Sequence, residues 1–400
     1  MPSRRVVVVA TFMACSRAAS AQTPTVGVGE FFQTLYRPVA QDVQANGGPP
    51  LTLTSFGSAF VLTGLLIAEV ANLPIGSNAG GFTWTYDSAL GTWSRASDSF
   101  GAQFIERAQT AGRGKANLGM AYQRFTFDHL NGQSLSSAGI DASGAVNQNV
   151  PAAQRLNIQE RASFTRADVS IATLFVNYGV TSAIDIGILV PTLSVVLDGT
   201  LQYTLRRTTP NVTLTKTVGA SARSQLNGDP LIRGKWNFFR RPSGGVALAV
   251  DIKPHSRKPL SAGGHKVQGI GTLNVRGINA HVNGGRSVYN CDSSEDHACG
   301  NIGTGFIGGG IDKAVTKRVT LSSTLQLHHT VIAVDASATT PSVEVQTNNP
   351  EVKTNRLTAS MTGKVNVWGN LLVTVTGLVS KNGRGLSDRF TPVIGFDYAW

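Results

Sequence analysis

Apolar and polar residues alternate along most of this chain, from about residue 112 to its end. In the clearest segment, 319–328, one set of alternate residues is apolar, namely Val319, Leu321, Leu325 and Leu327. The residues between them are mostly polar, including Thr320, Ser322, Thr324, Gln326 and His328. Because successive side chains of a β-strand point to opposite faces, the segment predicts a strand with one face suited to lipid and one suited to water.

The same alternation recurs at 184–190, 246–253, 357–368 and 370–380. Short links lie at 181–182, 241–244, 276–277, 316–318 and 369. They take turns with longer polar loops at about 205–228, 254–265, 290–301, 336–352 and 381–389. Short turns at one end and long loops at the other are typical of outer-membrane barrels, whereas a β-sandwich has no reason to sort its loops. We therefore predict an all-β fold, a transmembrane antiparallel β-barrel.

Composition excludes other classes. Only 14% of residues are charged, against about 25% in ordinary soluble domains, which is too few for a disordered chain or a coiled coil. The longest apolar run after the N-terminal region is 59–71, and it contains Gly64 and Glu69. A membrane-spanning helix needs about 20 apolar residues, so a helical membrane protein is also excluded. The formal net charge is +12, but the bases are dispersed and no recognition module for nucleic acid is present.

The first 21 residues are predicted to be a secretory signal peptide. Arg4 and Arg5 precede a short apolar run, and Ala19-Ser20-Ala21 provides a small-residue cleavage site. A lipoprotein signal that uses Cys15 is the alternative, although residues 12–14 match a lipobox poorly. We expect residues 22–50 to form an N-terminal segment and residues 51–400 to form the barrel.

Cys291 and Cys299 lie in one polar loop of a chain that we expect to be exported. In an oxidising compartment, the simplest prediction is a disulfide that staples this loop. Asp292 and His297 allow a metal site as the alternative, but four donors crowded into one short loop are weak evidence for it. We therefore predict no metal and no cofactor.

The number of strands follows from parity. Both ends of a bacterial single-chain barrel lie in the periplasm, so the strand count is even. Eleven segments from about Ala167 onward and a twelfth at 114–128 read as strands. Two further segments, 55–73 and 100–108, bring the prediction to about 14, with 12 and 16 as alternatives.

The final residues alternate as well, with Ile394, Phe396, Tyr398 and Trp400 on one face. A last strand that ends on an aromatic residue resembles the signal by which outer-membrane barrels reach their insertion machinery. The alternative is an ordinary buried final strand. Aromatic side chains of such barrels form girdles at the membrane interfaces. We assign this position to Tyr178, Trp236, Phe396, Tyr398 and Trp400.

Three stretches, 176–191, 228–239 and 245–254, resemble the outer-membrane family linked to phenol meta-cleavage pathways. That family is similar to the long-chain fatty-acid (FadL-type) transporters of hydrophobic compounds. The resemblance implies a barrel that passes hydrophobic or aromatic solutes. In FadL-type channels an N-terminal segment folds into the lumen, so residues 22–50 are a hypothetical plug. This chain lacks the Asn-Pro-Ala signature of that plug.

Charged and imidazole side chains on the polar faces of the strands are the candidate pore lining. They are Asp185, Arg233, Lys235, Asp251, Lys253, Arg276, His281, His328, Lys364 and Asp397. Opposed charges in a bore orient anionic or amphipathic solutes. The alternative is that these charges only pair with one another. Bases in the long loops, such as Arg206, Arg207, Lys216 and Arg223, are most simply explained as solvated loop residues. The alternative is that they attract anionic solutes or the phosphates of surface lipids.

The sequence carries no HExxH or G-x-S-x-G motif, and we predict no catalytic residues. We predict an outer-membrane channel for passive uptake of small hydrophobic or aromatic compounds. Its partners would be outer-membrane lipid and lipopolysaccharide, the solute, and the barrel insertion machinery. A non-transporting barrel with a surface-binding or structural role is the alternative, followed by an envelope hydrolase with His328 or His329 as its base.

Overall fold

The structure is a computed structural model that describes residues 25–72, 76, 81–87, 92–146, 149–241, 243–256, 258, 260–290, 301–333, 343–346 and 351–400. Within these residues, twelve antiparallel strands pair in a closed ring, which confirms the predicted transmembrane β-barrel. The ring closes between the last strand and the first, with Phe396 opposite Met120. The predicted signal peptide and the Cys291–Cys299 loop lie outside the described residues.

The barrel strands are β1 (Ala116–Phe127), β2 (Leu156–Gly179), β3 (Ile184–Arg207), β4 (Leu231–Arg241), β5 (Gly244–Lys253), β6 (Gly263–Val275), β7 (Ile278–Asn290), β8 (Asn301–Ala314), β9 (Val319–Ala333), β10 (Glu351–Trp368), β11 (Leu371–Asn382) and β12 (Thr391–Ala399). The helices are α1 (Val28–Ala45) and α2 (Gly57–Ala71), with 3₁₀ turns at Leu53–Ser55 and Ala152–Gln154. Strands outside the ring are Thr25–Val26, Trp84–Asp87, Thr92–Arg95, His129–Leu130, Gln133–Ser134, Ile140–Val146, Val212–Asn227, Val343–Gln346 and Leu386–Ser387.

The outer surface of the ring carries an apolar band. On β3, Ile184, Ile186, Ile188 and Val190 are all exposed, whereas Asp185 between them is buried on the inner side. The other barrel strands repeat this arrangement, and an apolar outer face is the surface that lipid chains require. The short links all lie at one edge of the band, where β1 begins and β12 ends. This edge is the short-turn end, and the opposite edge is the long-loop end.

Twelve strands form the barrel, and the two segments that raised the prediction to 14 are not strands. Residues 57–71 form α2, because this stretch is apolar on every side and lacks the alternation of a half-exposed strand. Residues 100–108 have no strand pairing and lie inside the ring. Accordingly, the barrel wall begins at Ala116 and not near residue 51.

Strands β2 and β3 are 24 residues long, twice the 12 of β1, and continue beyond the band at the long-loop end. The apolar face of β3 reverses there, because Leu193, Val195 and Leu197 are buried on the inner side. The outer residues of this part are mostly polar, including Thr192, Ser194, Gln202 and Arg206. An outer face of this kind belongs in water, so this part projects beyond the membrane.

We call this projecting sheet the strand extension; it consists of residues 157–172 of β2, 192–207 of β3 and the strand Val212–Asn227. The last of these pairs with β3 along its whole length, from Val212 opposite Arg207 to Asn227 opposite Thr192. The predicted long loop at 205–228 is therefore mostly paired strand, which corrects the assignment of Arg206, Lys216 and Arg223 to a loop. Apolar and polar side chains alternate over residues 193–205, and burial of the apolar ones on the inner side stabilises the strand extension.

Helix α1 packs on the inner face of the strand extension. Phe31 and Phe164 stack with ring centroids 6.1 Å apart, and Val39, about two turns further along the helix, is also fully buried. Burying one large apolar side chain contributes about 1.5–3 kcal/mol, so this face provides most of the attachment. At its C-terminal end, Asp42 accepts a hydrogen bond from Tyr203 at 2.5 Å. The described part of the predicted plug, residues 25–50, therefore includes a helix that lies at the long-loop end.

Helix α2 crosses the long-loop mouth of the barrel. Near its start, Ser58 hydrogen-bonds Glu160 of β2, and near its end, Glu69 pairs with Arg356 of β10. Between them, a Cβ on Gly64 would lie 3.4 Å from Ile332 of β9. Strands β2 and β9 stand on nearly opposite sides of the ring, so α2 spans the opening. No helix among the described residues is long and apolar enough to cross a membrane.

Candidate functional site

Residues 99–112, which we call the luminal segment, pass through the inside of the barrel before β1 begins. The backbone N–H of Phe100 donates to Thr320 Oγ1 at 3.0 Å, that of Ala108 to Thr272 Oγ1 at 2.9 Å, and that of Ala111 to Asp185 Oδ2 at 3.0 Å. Irregular backbone is tolerated at membrane depth only where protein or water satisfies its polar groups. The polar inner face of the wall does so here.

Glu106 of the luminal segment forms a buried ion pair with the wall. Arg233 of β4 donates two hydrogen bonds to Asp251 of β5, at 2.6 Å and 2.7 Å, and a third to Glu106. All three side chains are at least nine-tenths buried. A bidentate arginine–carboxylate pair fixes geometry as well as charge, and removing one member of such a buried group costs about 3–5 kcal/mol.

A second anchor surrounds His281 of β7. Its Nε2 contacts Asp312, and its Nδ1 lies 3.0 Å from Thr272 Oγ1. The order Asp–His–Thr resembles that of a hydrolase triad. The threonine hydroxyl, however, also accepts the N–H of Ala108, and all three side chains are buried against the luminal segment. Asn279 extends the anchor by donating to Ser99 Oγ at 2.6 Å.

Two lysines of the wall also hold the luminal segment. Lys235 Nζ donates to the carbonyl oxygen of Gln109 at 2.8 Å, and Lys364 Nζ donates to that of Phe100 at 3.4 Å. Lys364 is fully buried, which shows how closely the segment fills the bore at that level. Thr110 Oγ1 finally binds the carbonyl oxygen of Ser182 at the short-turn end.

Nine of the ten predicted pore-lining residues lie on the inner side of the wall, which follows from strand phase alone. They are Asp185, Arg233, Lys235, Asp251, Lys253, His281, His328, Lys364 and Asp397. Arg276 does not, because it occupies the turn between β6 and β7 with a φ of 52° and is exposed. A residue at a tight turn leaves the two-residue period, so phase places it wrongly.

The two histidines considered as bases have structural partners. His328 stacks on Phe306 at 5.7 Å and lies 3.0 Å from Gln326 Oε1. His329 faces outward and contacts Asn355 Oδ1 at 2.7 Å. Within the described residues, no group of three or more His, Cys, Asp or Glu side chains is placed to hold a metal ion.

An apolar pocket of about 740 Å³, its open mouth included, lies at the long-loop end. Its walls are the end of α2 and the junction of barrel and strand extension, including Ile171, Leu189, Leu193, Leu226 and Leu231. Polar side chains stand at one edge, where Lys253 Nζ lies 3.7 Å from Asp229 and Ser261 Oγ donates to that carboxylate at 2.7 Å.

Two further pockets, of about 570 Å³ and 390 Å³ with their openings to solvent included, continue toward the luminal segment. The first shares Ala71, Leu231 and Tyr289 with the apolar pocket, so the two adjoin. Both of these pockets are lined by Phe104 of the luminal segment and by Arg233 and other polar residues of the wall. An apolar chamber therefore adjoins a charged one.

Sequence reasoning missed Glu106, Thr272 and Asp312, which hold the luminal segment. The sequence feature that could have pointed to Glu106 is that residues 99–112, in which it lies, have neither a helical nor a strand period. The five predicted interface aromatics are about half exposed on the outer surface, namely Tyr178, Trp236, Phe396, Tyr398 and Trp400. The rings of Tyr398 and Trp400 stack 6.1 Å apart.

No family model and no curated protein matches the sequence. Among solved structures, the chain is similar to the COG4313 outer membrane channel from Pseudomonas putida F1, with 11% identity, a TM-score of 0.46 and coverage of 73% of this chain and 98% of the other. It is also similar to OprD of Pseudomonas aeruginosa, with 7% identity, a TM-score of 0.30 and coverage of 74% and 98%. A further similar structure is the outer membrane protease OmpT from Escherichia coli, with 13% identity, a TM-score of 0.27 and coverage of 71% and 97%.

The closed strand ring, the apolar outer band and the polar inner face together define the class of this protein. It is a transmembrane antiparallel β-barrel of twelve strands, with a helical cap at its long-loop end and a peptide segment in its bore.

Proposed function

We propose that this protein is an outer-membrane channel for the passive uptake of small hydrophobic or aromatic compounds, held closed here by the luminal segment. The observation that carries the proposal is the apolar pocket at the long-loop end, which adjoins further, charged pockets in the bore. Ligand sites are concave and mostly apolar, with a few polar groups that orient the ligand. The pocket beneath α2 has this composition.

The way in which the luminal segment is attached supports a bore that opens. Its described contacts with the wall run mainly through side chains such as Thr272, Arg233 and Asn279, without a strand ladder. Displacing it breaks a limited set of hydrogen bonds and leaves the twelve-strand ring intact.

The resemblance to the phenol meta-cleavage family and to FadL-type transporters supports the solute class. Export through a cleaved signal peptide and delivery by the aromatic last strand are part of the same proposal. In this proposal the long-loop end lies outside the cell, because short turns face the periplasm in bacterial barrels. Solute would therefore meet the apolar pocket first.

Pocket and flux are tested together with naphthalene as the probe. Leu226→Trp fills the pocket, and Val275→Trp adds the same ring to the outer surface as a control. We expect the first variant to weaken naphthalene binding to the purified protein and its initial uptake by cells at least fivefold, and the control to leave both unchanged. Equal uptake by cells with and without the protein would remove the channel proposal.

A non-transporting barrel is the second candidate, and the density of contacts around the luminal segment favours it. Planar-bilayer recording separates the two. A channel gives openings that become at least fivefold more frequent in Glu106→Gln, which weakens the contact with Arg233, and not in the exposed control Lys313→Gln. A non-transporting barrel stays silent in all three proteins.

A further inference from the structure

The N-terminal cap, residues 25–72 with helices α1 and α2, lies at the opposite end of the barrel from the start of its first strand. Thr25 pairs with Ser221 in the strand extension, and Arg207 at the tip of the extension donates to the carbonyl oxygen of Asn46 at 2.8 Å. Strand β1 follows the cap in sequence but begins at the short-turn end. The chain between the cap and β1 therefore travels from the long-loop end to the short-turn end.

The first part of this route lies inside the ring. Asn72, just after α2, lines a pocket together with Arg233 of the wall and Phe104 of the luminal segment. A Cβ on Gly76 would collide with the side-chain amide of Gln103, which is itself buried in the luminal segment. Both positions are therefore within the bore.

Further along, the chain reaches the short-turn end without leaving the bore. Phe82 is buried in a cluster with Leu372 and Ala399. These are the second residue of β11 and the last of β12, and both lie at the short-turn end. The backbone N–H of Trp84 then donates to the carbonyl oxygen of Ala111 at 3.2 Å, at the same end. The chain therefore crosses the bore from one end to the other before β1 begins.

The wall gives no passage through its side. Each of the twelve strands pairs with both of its neighbours, and β12 pairs with β1 to close the ring. A gap between strands would leave backbone groups facing lipid without hydrogen bonds. In the orientation of the proposed function, on which this inference rests, β1 begins in the periplasm and the cap lies outside the cell. The two are joined only through the bore.

The part of the chain that would pass the bore carries few charges. Residues 22–86 contain four charged side chains among 65 residues, against 14% charged residues in the whole chain. The four are Glu30, Arg37, Asp42 and Glu69. A charged group in a narrow bore gives up hydration unless it finds a partner there. A sparsely charged segment is therefore suited to such a passage.

The helices of the cap have their apolar partners at the long-loop end. Phe31 of α1 stacks on Phe164 of the strand extension, and α2 is apolar on all sides. Helices of this length take most of their stability from packing of this kind. We therefore expect the cap to pass the bore as extended chain and to become helical at the far end, where burial of its apolar side chains retains it.

We propose that this barrel carries its own N-terminal cap through its bore, so that residues 25–72 are displayed on the cell surface while the strand ring begins and ends in the periplasm. The substrate of this activity is a segment of the same chain. The stretch that follows the cap stays in the bore afterwards, beside the luminal segment.

Cysteine labelling tests where the cap lies. The cysteines of the chain are replaced by serine, and intact cells are treated with a polyethylene-glycol maleimide that cannot cross the outer membrane. Gln44→Cys places the probe on the exposed side of α1. The matched controls are Gln202→Cys on the outer face of the strand extension and Lys317→Cys in the link between β8 and β9 at the short-turn end. All three positions are exposed, so lysed cells should label them equally.

On intact cells we expect Gln44→Cys and Gln202→Cys to be labelled within twofold of each other, and Lys317→Cys at least tenfold less. Labelling of Gln202→Cys without Gln44→Cys would overturn the proposal. Labelling of Lys317→Cys in place of Gln202→Cys would show a barrel inserted the other way round, and would overturn it as well. The measurement needs no solute, so loss of the channel proposal through naphthalene uptake would be a separate result.

A folded cargo tests the route. A stable, cysteine-free helical bundle is inserted between Pro24 and Thr25 of the Gln44→Cys and Gln202→Cys proteins. The matched control is the same bundle with one proline in each helix, which prevents it from folding. Heat-modifiable gel migration verifies that the barrel is folded in each fusion.

We expect the folded bundle to lower the surface labelling of Gln44→Cys at least fivefold relative to the proline-containing bundle, and to leave the labelling of Gln202→Cys unchanged. Equal labelling of Gln44→Cys with the two bundles would overturn passage through the bore. If the fusions do not fold, the labelling of the proteins without a bundle decides the proposal.

Discussion

Glu160 of β2 accepts two hydrogen bonds from Ser58 at the start of α2, one from the backbone N–H at 3.1 Å and one from Oγ at 2.7 Å. The carboxyl group is buried in the strand extension, beyond the apolar band. Tyr36 of α1 meets the same serine hydroxyl at 2.5 Å. One carboxyl group thus joins both helices of the cap to the barrel.

The first prediction concerns pH. Burial raises the pKa of Glu160 to about 7. This pKa in the docked cap lies above the value of 4.5 that Glu160 has when the cap is undocked. Between these two pH values, the carboxyl group is therefore protonated in the docked cap and ionised in the undocked one. Docking is therefore strongest below about pH 4.5 and weakens as the pH rises through about 7, by about 3 kcal/mol in total.

Hydrogen exchange of α2 measures this effect. Protection should fall between pH 5.5 and pH 8 after correction for intrinsic exchange, and Glu160→Gln, which keeps the shape but not the charge, should remove most of the change. Burial also raises the pKa of Tyr36, which keeps that neighbour neutral over this range. A pH dependence that survives in Glu160→Gln would contradict the assignment.

The second prediction concerns the attachment of α1. Phe164→Ala removes the ring on which Phe31 stacks and leaves a cavity in the strand extension, at a cost of about 3–5 kcal/mol to docking of the helix. Limited proteolysis should then cleave near α1 at least tenfold faster, with the barrel itself still intact. Phe238→Ala, on the exposed outer surface, is the matched control and should leave the cleavage rate unchanged.

The third prediction concerns the anchor at His281. Asp312→Asn weakens its contacts with His281 and with Asn279, and so loosens the hold on Ser99. We expect the open probability in planar bilayers to rise about fivefold, while heat-modifiable migration stays that of a folded barrel. Replacing Asn355, which contacts His329 on the outside, with Ala should have no effect on conductance. Identical traces for wild type and Asp312→Asn would show that this anchor does not hold the bore closed.

The fourth prediction concerns the last strand. Trp400→Ala removes an exposed aromatic ring that stacks on Tyr398 at the short-turn end. We expect insertion into the membrane to slow at least threefold in a pulse-chase assay, because interfacial aromatics anchor barrels at the headgroup level. Phe390→Ala, at the other edge of the band, should have a smaller effect on the insertion rate.

The sequence predicts the barrel well because a wall between lipid and a polar bore imposes the two-residue period on every strand. It places Asp185, Lys235 and Lys364 on the inner side by phase alone, and the structure agrees. Phase gives no warning at a turn, which is why Arg276 was misplaced. Strand phase also does not identify which side chains contact each other, because the contact of Arg233 with Glu106 joins residues far apart in sequence.

The cap and the luminal segment escaped prediction for different reasons. Residues 57–71 are buried by strand extension, wall and loops, so their sequence carries no amphipathic period that separates helix from strand. The luminal segment has no regular structure, and side chains of the wall determine its course. The reversal of the apolar face on β3, between Val190 and Leu193, was legible in the sequence and marks where the wall leaves the membrane.

Spin labels read by power-saturation EPR in liposomes test the central claim most directly, after replacement of the cysteines by serine. The account predicts that a label at Met361, on the lipid-facing surface, is relaxed by oxygen and not by a water-soluble nickel complex. A label at Gln202, on the outer face of the strand extension, should respond to the nickel complex instead. Nickel-dependent relaxation at both positions would mean that the band does not face lipid, and would contradict the account.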